Sequence, residues 1–161
     1  FHDVISGQSV TGILHLPNMT PVDWYSKLQA TVETATFGSE HVAACTATEQ
    51  ILDLHLTLRY LGVPLDGPSF MFGDNESVVN TASVLHSKPH KHNNALSHHR
   101  TREAITAGIT RFHHIVGTTN PVDILSKIWG HSSLWETLRP LMFGEVTPRQ
   151  LPLCNSFFPQ A

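Results

Sequence analysis

Long apolar runs are missing from this 161-residue chain. A membrane-spanning helix needs about 18 or more consecutive apolar residues. None occurs, so no membrane contact is expected. The amino terminus shows no basic-then-apolar leader, so secretion is not expected either. Cysteine is scarce: Cys45 and Cys154 are the only two. Two cysteines exclude a disulfide framework and a Cys-rich zinc site, and point to reduced thiols in the cytoplasm or nucleus. Charged residues make up only 14% and hydrophobic ones 40%. That composition excludes a disordered polyelectrolyte and fits one globular, soluble domain with a real core. No internal repeat is present, which excludes a solenoid.

What is present is uneven. Residues 1–80 carry nine acids and two bases, a net −7, and residues 81–161 carry four acids and eight bases, a net +4. The split suits a protein that presents carboxylates to a metal and cations to a polyanion, or simply an uneven surface. The 12 histidines are many for this length. Their charge changes between about pH 5 and 8, so polyanion binding is expected to strengthen in mild acid.

The elements can be read from punctuation and period. Ser9–Leu16 is β-rich, Pro17-Asn18-Met19-Thr20 is a turn signal, and Pro21–Lys27 reads as the returning strand of a hairpin. Ser39 is a fair N-cap for a helix to about Leu61. Its Ile51, Leu54, Leu58 and Leu61 lie on one face, and Gly62 and Pro64 end it. Pro68 precedes a strand over Ser69–Phe72. A short helix follows Asp74 to about Ala82. Residues 86–99 show no period and read as a loop. Arg100–Ala107 reads as a helix ending at Gly108, and Ile109–Val116 as a strand. Helices are expected over Val122–Trp129 and Ser133–Leu141. The proline-bearing tail, residues 144–161, is expected to be disordered. The order is a mixed α/β pattern.

One carboxylate sits where such folds build sites, and two more fall at helix starts. Asp74 follows an apolar run that stops at Gly73, at the carboxyl end of a strand. Two readings are open: a ligand at the strand end, or the N-cap of the next helix. Glu40 and Asp123 fall near helix starts. There the helix dipole alone would account for them as solvated residues. Glu49 and Asp53 read as the solvated face of the long helix. The basic stretch holds Lys88, Lys91, Arg100 and Arg102 among His86, His90, His92, His98 and His99. It reads as a solvated loop, a phosphate-binding surface, or a His-rich divalent-metal site lacking regular spacing. One of His113 and His114, on opposite faces of a strand, is expected to be structural. Trp24, Trp129 and Trp135 are expected in or beside the core.

Five motifs in order carry a resemblance. Trp24-Tyr25-Ser26-Lys27-Leu28-Gln29 matches "W-x-S-K-x-Q", and Glu40-His41-Val42-Ala43 matches "E-[YF]-x-A". Asp74-Asn75-Glu76-Ser77 matches "D-N-x-[SA]", His98-His99-Arg100 matches "H-x-R", and Val122-Asp123-Ile124-Leu125-Ser126-Lys127 matches "x-x-D-I-x-[TS]-K". In this order the chain resembles the ribonuclease H domain that ends the reverse transcriptase of copia-type retrotransposon polyproteins, over about residues 9 to 143. His41 stands where that family has an aromatic. Cys45 and His55 stand where related sequences tend to carry Arg.

The resemblance implies a ribonuclease H-like mixed five-stranded sheet flanked by helices, spanning residues 1–143. It implies that Glu40, Asp74 and Asp123 converge as catalytic metal ligands for two Mg2+ or Mn2+ ions. The implied activity is hydrolysis of the RNA strand of an RNA–DNA hybrid, with Lys88, Lys91, Arg100 and Arg102 on the phosphates. The implied partners are the hybrid and an upstream reverse transcriptase domain. The family's first carboxylate and first strand are expected to fall just before Phe1. The metal site is therefore expected to be incomplete and this chain a fragment or remnant with little activity. The alternative reading is a non-catalytic nucleic-acid-binding or interaction module with the same fold.

Overall fold

The computed structural model describes residues 7–30, 36–84, 95–126 and 139. Lys88, Lys91, Trp129, Trp135, the second of the two expected C-terminal helices and the tail lie outside these residues. The chain divides into two compact units. One holds Val10–Leu28 and the segment from Pro121. The other holds residues 7–9 and Gln29–Asn120. Among the described residues the architecture is mixed α/β, with two two-stranded sheets and four helices. These residues do not themselves form a five-stranded sheet.

In the first unit β1 (Val10–His15) and β2 (Asp23–Leu28) form the expected antiparallel hairpin. The register runs from Val10 opposite Leu28 to His15 opposite Asp23. The turn closes as its sequence demands. Asn18 takes a left-handed φ of 49°, a conformation Asn tolerates well, and the Thr20 amide bonds the Pro17 carbonyl at 3.0 Å. A short helix, α4 (Asp123–Ser126), lies against β1. The Ser26 hydroxyl donates to the Leu125 carbonyl at 2.6 Å. Gly12 permits this approach: a Cβ there would lie 2.9 Å from Val122 Cγ1 and 3.2 Å from the Val122 carbonyl oxygen. Gly12→Ala is expected to cost about 1–3 kcal/mol by overpacking, read as a lower urea midpoint with an unchanged slope. Trp24 corrects one expectation, since it is 69% exposed rather than in the core. It stands on an outer position of β2, and its sequence neighbours give no sign of which face is covered.

In the second unit a long helix, α1 (Thr36–Tyr60), packs on β3 (Ser69–Gly73), α2 (Glu76–Ser83) and α3 (Ala95–Thr106). β3 pairs in parallel with β4 (Thr110–His114), from Ser69 opposite Thr110 to Gly73 opposite His114. Parallel strands need a long crossover, and α2 and α3 lie within it. Buried Met71, Ala44, Ala47, Ile51, Val78, Val79, Ala82, Ala104 and Ile115 form the core. The small residues of α1 let its neighbours come close.

Two boundaries differ from expectation. Helix α1 begins at Thr36, so Ser39 lies inside the first turn and its hydroxyl back-bonds to the Thr36 carbonyl at 2.8 Å instead of capping. Helix α3 begins at Ala95, so residues 95–99 are not loop. Its buried face is His98, Thr101 and Ala104, which gives no apolar period to read. The predicted stops hold. At Gly62 (φ +75°) the amide bonds Arg59 O at 3.0 Å and the Val63 amide bonds Leu58 O at 2.9 Å, a Schellman closure. Gly108 (φ +71°) ends α3 with the same bond pattern to Ile105 and Ala104.

Candidate metal-binding carboxylate site

Asp74 leaves β3 at its carboxyl end, as expected, and is exposed. It is not the N-cap. Asn75 takes that role: its Oδ1 accepts from the Ser77 amide at 3.0 Å and the Val78 amide at 3.3 Å. The Asp74 carboxylate is thereby spared from backbone capping. The turn after β4 backs it. His114 Nε2 donates to the Asp74 carbonyl at 3.2 Å, and the Ile115 amide donates to the Gly73 carbonyl at 2.9 Å. The position a Cβ of Gly117 would take lies 3.9 Å from Asp74 Oδ2.

Glu40 projects from the second turn of α1 and is half-buried. Its placement past the first turn removes the helix-dipole explanation. Its Oε2 is buried and makes no hydrogen bond among the described residues. Burial, then the charge of Asp74, push the Glu40 carboxyl up to about 7, while the polar side chain of Asn75 opposes them. Two acids from separate elements, 34 positions apart, thus share one field. A buried carboxylate oxygen without a donor is what a hard cation satisfies. The donor chemistry therefore fits a divalent metal at Glu40 and Asp74. Among the described residues the two form a pair, and no group of three or more His, Cys, Asp or Glu comes together that could hold a metal ion.

Asp123 opens α4 as an acidic first-turn residue, in the unit that does not contain Glu40 and Asp74. Glu49 and Asp53 are exposed, as expected of a solvated face.

The basic stretch is partly structural. Arg100 pairs with Glu103 across one turn at 3.2 Å, on the surface. The Arg102 guanidinium donates to the Val84 carbonyl just past α2. His98, expected beside the phosphates, is fully buried, and its Nε2 donates to the Thr81 carbonyl at 3.2 Å. Its edge meets His41, which is also fully buried, with ring centroids 5.7 Å apart; Phe37 covers His41 from another side at 4.6 Å. Both ring nitrogens of His41 and Nδ1 of His98 lack a hydrogen-bond partner among the described residues. Desolvation drives His41 down to about 4, aided by His98, and lowers His98 as well. His55 and His113 are also lowered by burial. His41, at about 4, stays neutral in mild acid, and the lowered His55, His98 and His113 take up a proton less readily than an ordinary imidazole, which departs from the expectation for the histidines as a class. His113 is half-buried between Phe70 and Phe72 at 5.7 and 5.8 Å, and His114 is exposed, so the strand does divide them.

Asn75 and His114 were not legible as parts of the site. Asn75 carried one usable signal, since Asn at a helix start is a strong N-cap. His114 carried none, because its bond to Asp74 depends on strand register. No helix among the described residues is long and apolar enough to cross a membrane. Comparison of the chain with protein-family models, curated proteins and solved structures finds no match.

Proposed function

We propose that this chain is a remnant or fragment of a copia-type retrotransposon reverse transcriptase, from its ribonuclease H-like domain. The ancestral activity is metal-dependent hydrolysis of the RNA strand of an RNA–DNA hybrid. One observation supports this reading above the others. Glu40 feels the charge of Asp74 although the two lie on different elements, and Glu40 keeps a buried oxygen with no hydrogen bond among the described residues. The order hairpin, long helix, strand, helices, parallel strand is also the order expected of the five-stranded fold.

Glu40 and Asp74 would hold the cation. A bound Mg2+ or Mn2+ would supply Lewis-acid polarisation of a phosphodiester and a more acidic water. The protein's own part is to keep two negative charges in place at the end of a strand. Burial keeps water from the inner oxygen of Glu40, and the β4 turn anchors the Asp74 backbone. A bound cation would also favour the charged form of Glu40 at neutral pH. Phosphate contacts are assigned to Lys88, Lys91, Arg100 and Arg102.

Mn2+ titration of the chain tests the site. Asp74→Asn keeps the shape and removes one charge, so affinity is expected to fall about tenfold or more. The same change should lower the Glu40 carboxyl toward its ordinary range, visible by carbon NMR. Equal Mn2+ binding by wild type and variant would sink the shared site. The second reading, a non-catalytic nucleic-acid module, is favoured by the carboxylates forming a pair rather than a larger group among the described residues. Salt-sensitive hybrid binding with no cleavage in Mg2+ or Mn2+ would select it.

A further inference from the structure

The second strand of the hairpin has one side in use. Among the described residues β2 pairs with β1 alone. In an antiparallel ladder alternate residues turn both backbone groups to the same neighbour. The Gln29 amide bonds the Ser9 carbonyl at 2.8 Å, so the residues of β2 that face β1 are Asp23, Tyr25 and Lys27. Trp24, Ser26 and Leu28 turn their backbone groups outward. The Trp24 amide agrees with this, since it bonds the Asp23 carboxylate at 2.9 Å and not β1. The apolar residues along this edge are uncovered: Trp24 is 69% exposed, Val22 60% and Leu28 43%. An open, partly apolar edge is a template for another strand.

We propose that the outer edge of β2 pairs, antiparallel and centred on Tyr25, with the same strand of a second copy of this chain. The strand is self-complementary about that residue. Turned end for end, it sets Asp23 against Lys27 of the second copy, Trp24 against Ser26, and Tyr25 against Tyr25. Two-fold symmetry repeats each unlike pair. Trp24 and Ser26 are both outward residues, so each such pair can exchange its backbone bonds. The Asp23 carboxylate then yields the Trp24 amide to the Ser26 carbonyl of the second copy and takes the Lys27 ammonium. Within one chain Asp23 and Lys27 lie about 13 Å apart along the strand, too far to pair. Across the two copies they are direct neighbours on one face. Next to the strand, Val22 falls opposite Leu28, and both are apolar and exposed. Sliding the copies by two positions in either direction parts the charges, so the sequence fixes the register. An edge that offers one acid and one base suits its own inverted copy better than it suits a polyanion.

Sedimentation equilibrium of the intact 161-residue chain tests the pairing. Over about 10 µM to 1 mM, a range suited to so small an interface, it should show a reversible monomer–dimer equilibrium. Asp23→Lys and Lys27→Asp each place like charges opposite one another at both ends of the paired strands. Each should weaken association about tenfold or more. Mixed in equal amounts, the two single variants set acid against base again, and association should return to wild-type strength. Both side chains are exposed, so both variants should fold, which circular dichroism checks. A wild-type sample with half its copies isotope-labelled needs no substitution: nuclear Overhauser contacts should join the Tyr25 rings of labelled and unlabelled copies. A chain still monomeric at about 1 mM would overturn the proposal. So would a dimer that both single variants leave intact, a mixture that associates no better than its components, or a dimer in which the Tyr25 rings make no contact.

Discussion

Glu40→Gln is expected to stabilise the chain by about 2 kcal/mol above pH 7 and to abolish its response to divalent metal. The Glu40 carboxyl sits at about 7, against an ordinary 4.5, because it is desolvated and faces Asp74. Between those values the folded chain binds more protons than the unfolded one. The contribution of Glu40 to stability therefore falls as pH rises from 4.5 through 7 and stays low above. The full shift would be worth about 3 kcal/mol, and partial solvent access at the site reduces it. Gln keeps the length but has no charge to bury. Urea unfolding at pH 4 should show little difference between variant and wild type, and at pH 8 the full gain. Mn2+ at 100 times its dissociation constant should raise wild-type stability by about 2.7 kcal/mol and leave the variant unmoved. Equal stability of the two chains at pH 8 would mean that Glu40 is solvated and that the pair has no shared field. The gain without metal is the expected mark of a site that holds like charges together for a ligand.

The parts of this fold that announce themselves are those decided by local chemistry. The hairpin turn needs a residue tolerant of positive φ, and Asn18 supplies it. Helix α1 needs a left-handed residue after its end, and Gly62 supplies it. The start of α1 is different, because Thr36 and Ser39 are both credible first-turn residues and only three-dimensional packing chooses. Helix α3 begins five residues before Arg100, where the pattern seemed to start, because its inward positions are His98, Thr101 and Ala104. A period drawn from aliphatic residues passes over such a face. At the site, Asp74 and Asn75 are adjacent and both cap well, so helix register alone decides which one is left for a ligand. A glutamate on a long helix looks solvated by default. Glu40 is not: it is half-buried and faces the charge of Asp74, more than thirty residues on. Charge type and spacing nominated the carboxylates, but burial could not be read from either.

His41→Phe should remove an acid-destabilising contribution of about 3 kcal/mol from this protein. His41 is fully buried, touches Phe37 and His98, and has no hydrogen-bond partner among the described residues for either ring nitrogen. Burial holds it down to about 4, against an ordinary 6.5. Over that window the unfolded chain binds the extra proton, so the contribution of His41 to stability falls as pH drops from 6.5 to 4. The loss reaches about 3 kcal/mol near pH 4. His98 adds to it in the same direction, since its own desolvation outweighs the carbonyl of Thr81. Phe is close to His in shape, keeps the edge contact with Phe37, and buries no polar atom. At pH 8 it should gain about 1 kcal/mol, because an unsatisfied buried polar group costs about 1–3 kcal/mol and the larger ring returns part of that as crowding. Towards pH 4 the advantage should grow to about 4 kcal/mol, with the variant keeping the residual slope due to His98. The sign is opposite to that of Glu40, and the two windows overlap between 4.5 and 6.5. Wild-type stability should therefore look nearly flat there while each single variant slopes, His41→Phe downward with rising pH and Glu40→Gln upward. A set of urea midpoints at pH 4, 5, 6, 7 and 8 on the three chains reads this directly. Parallel curves for wild type and His41→Phe would show that the ring reaches water or finds a donor and acceptor of its own, and the buried histidine pair would then be no source of acid lability.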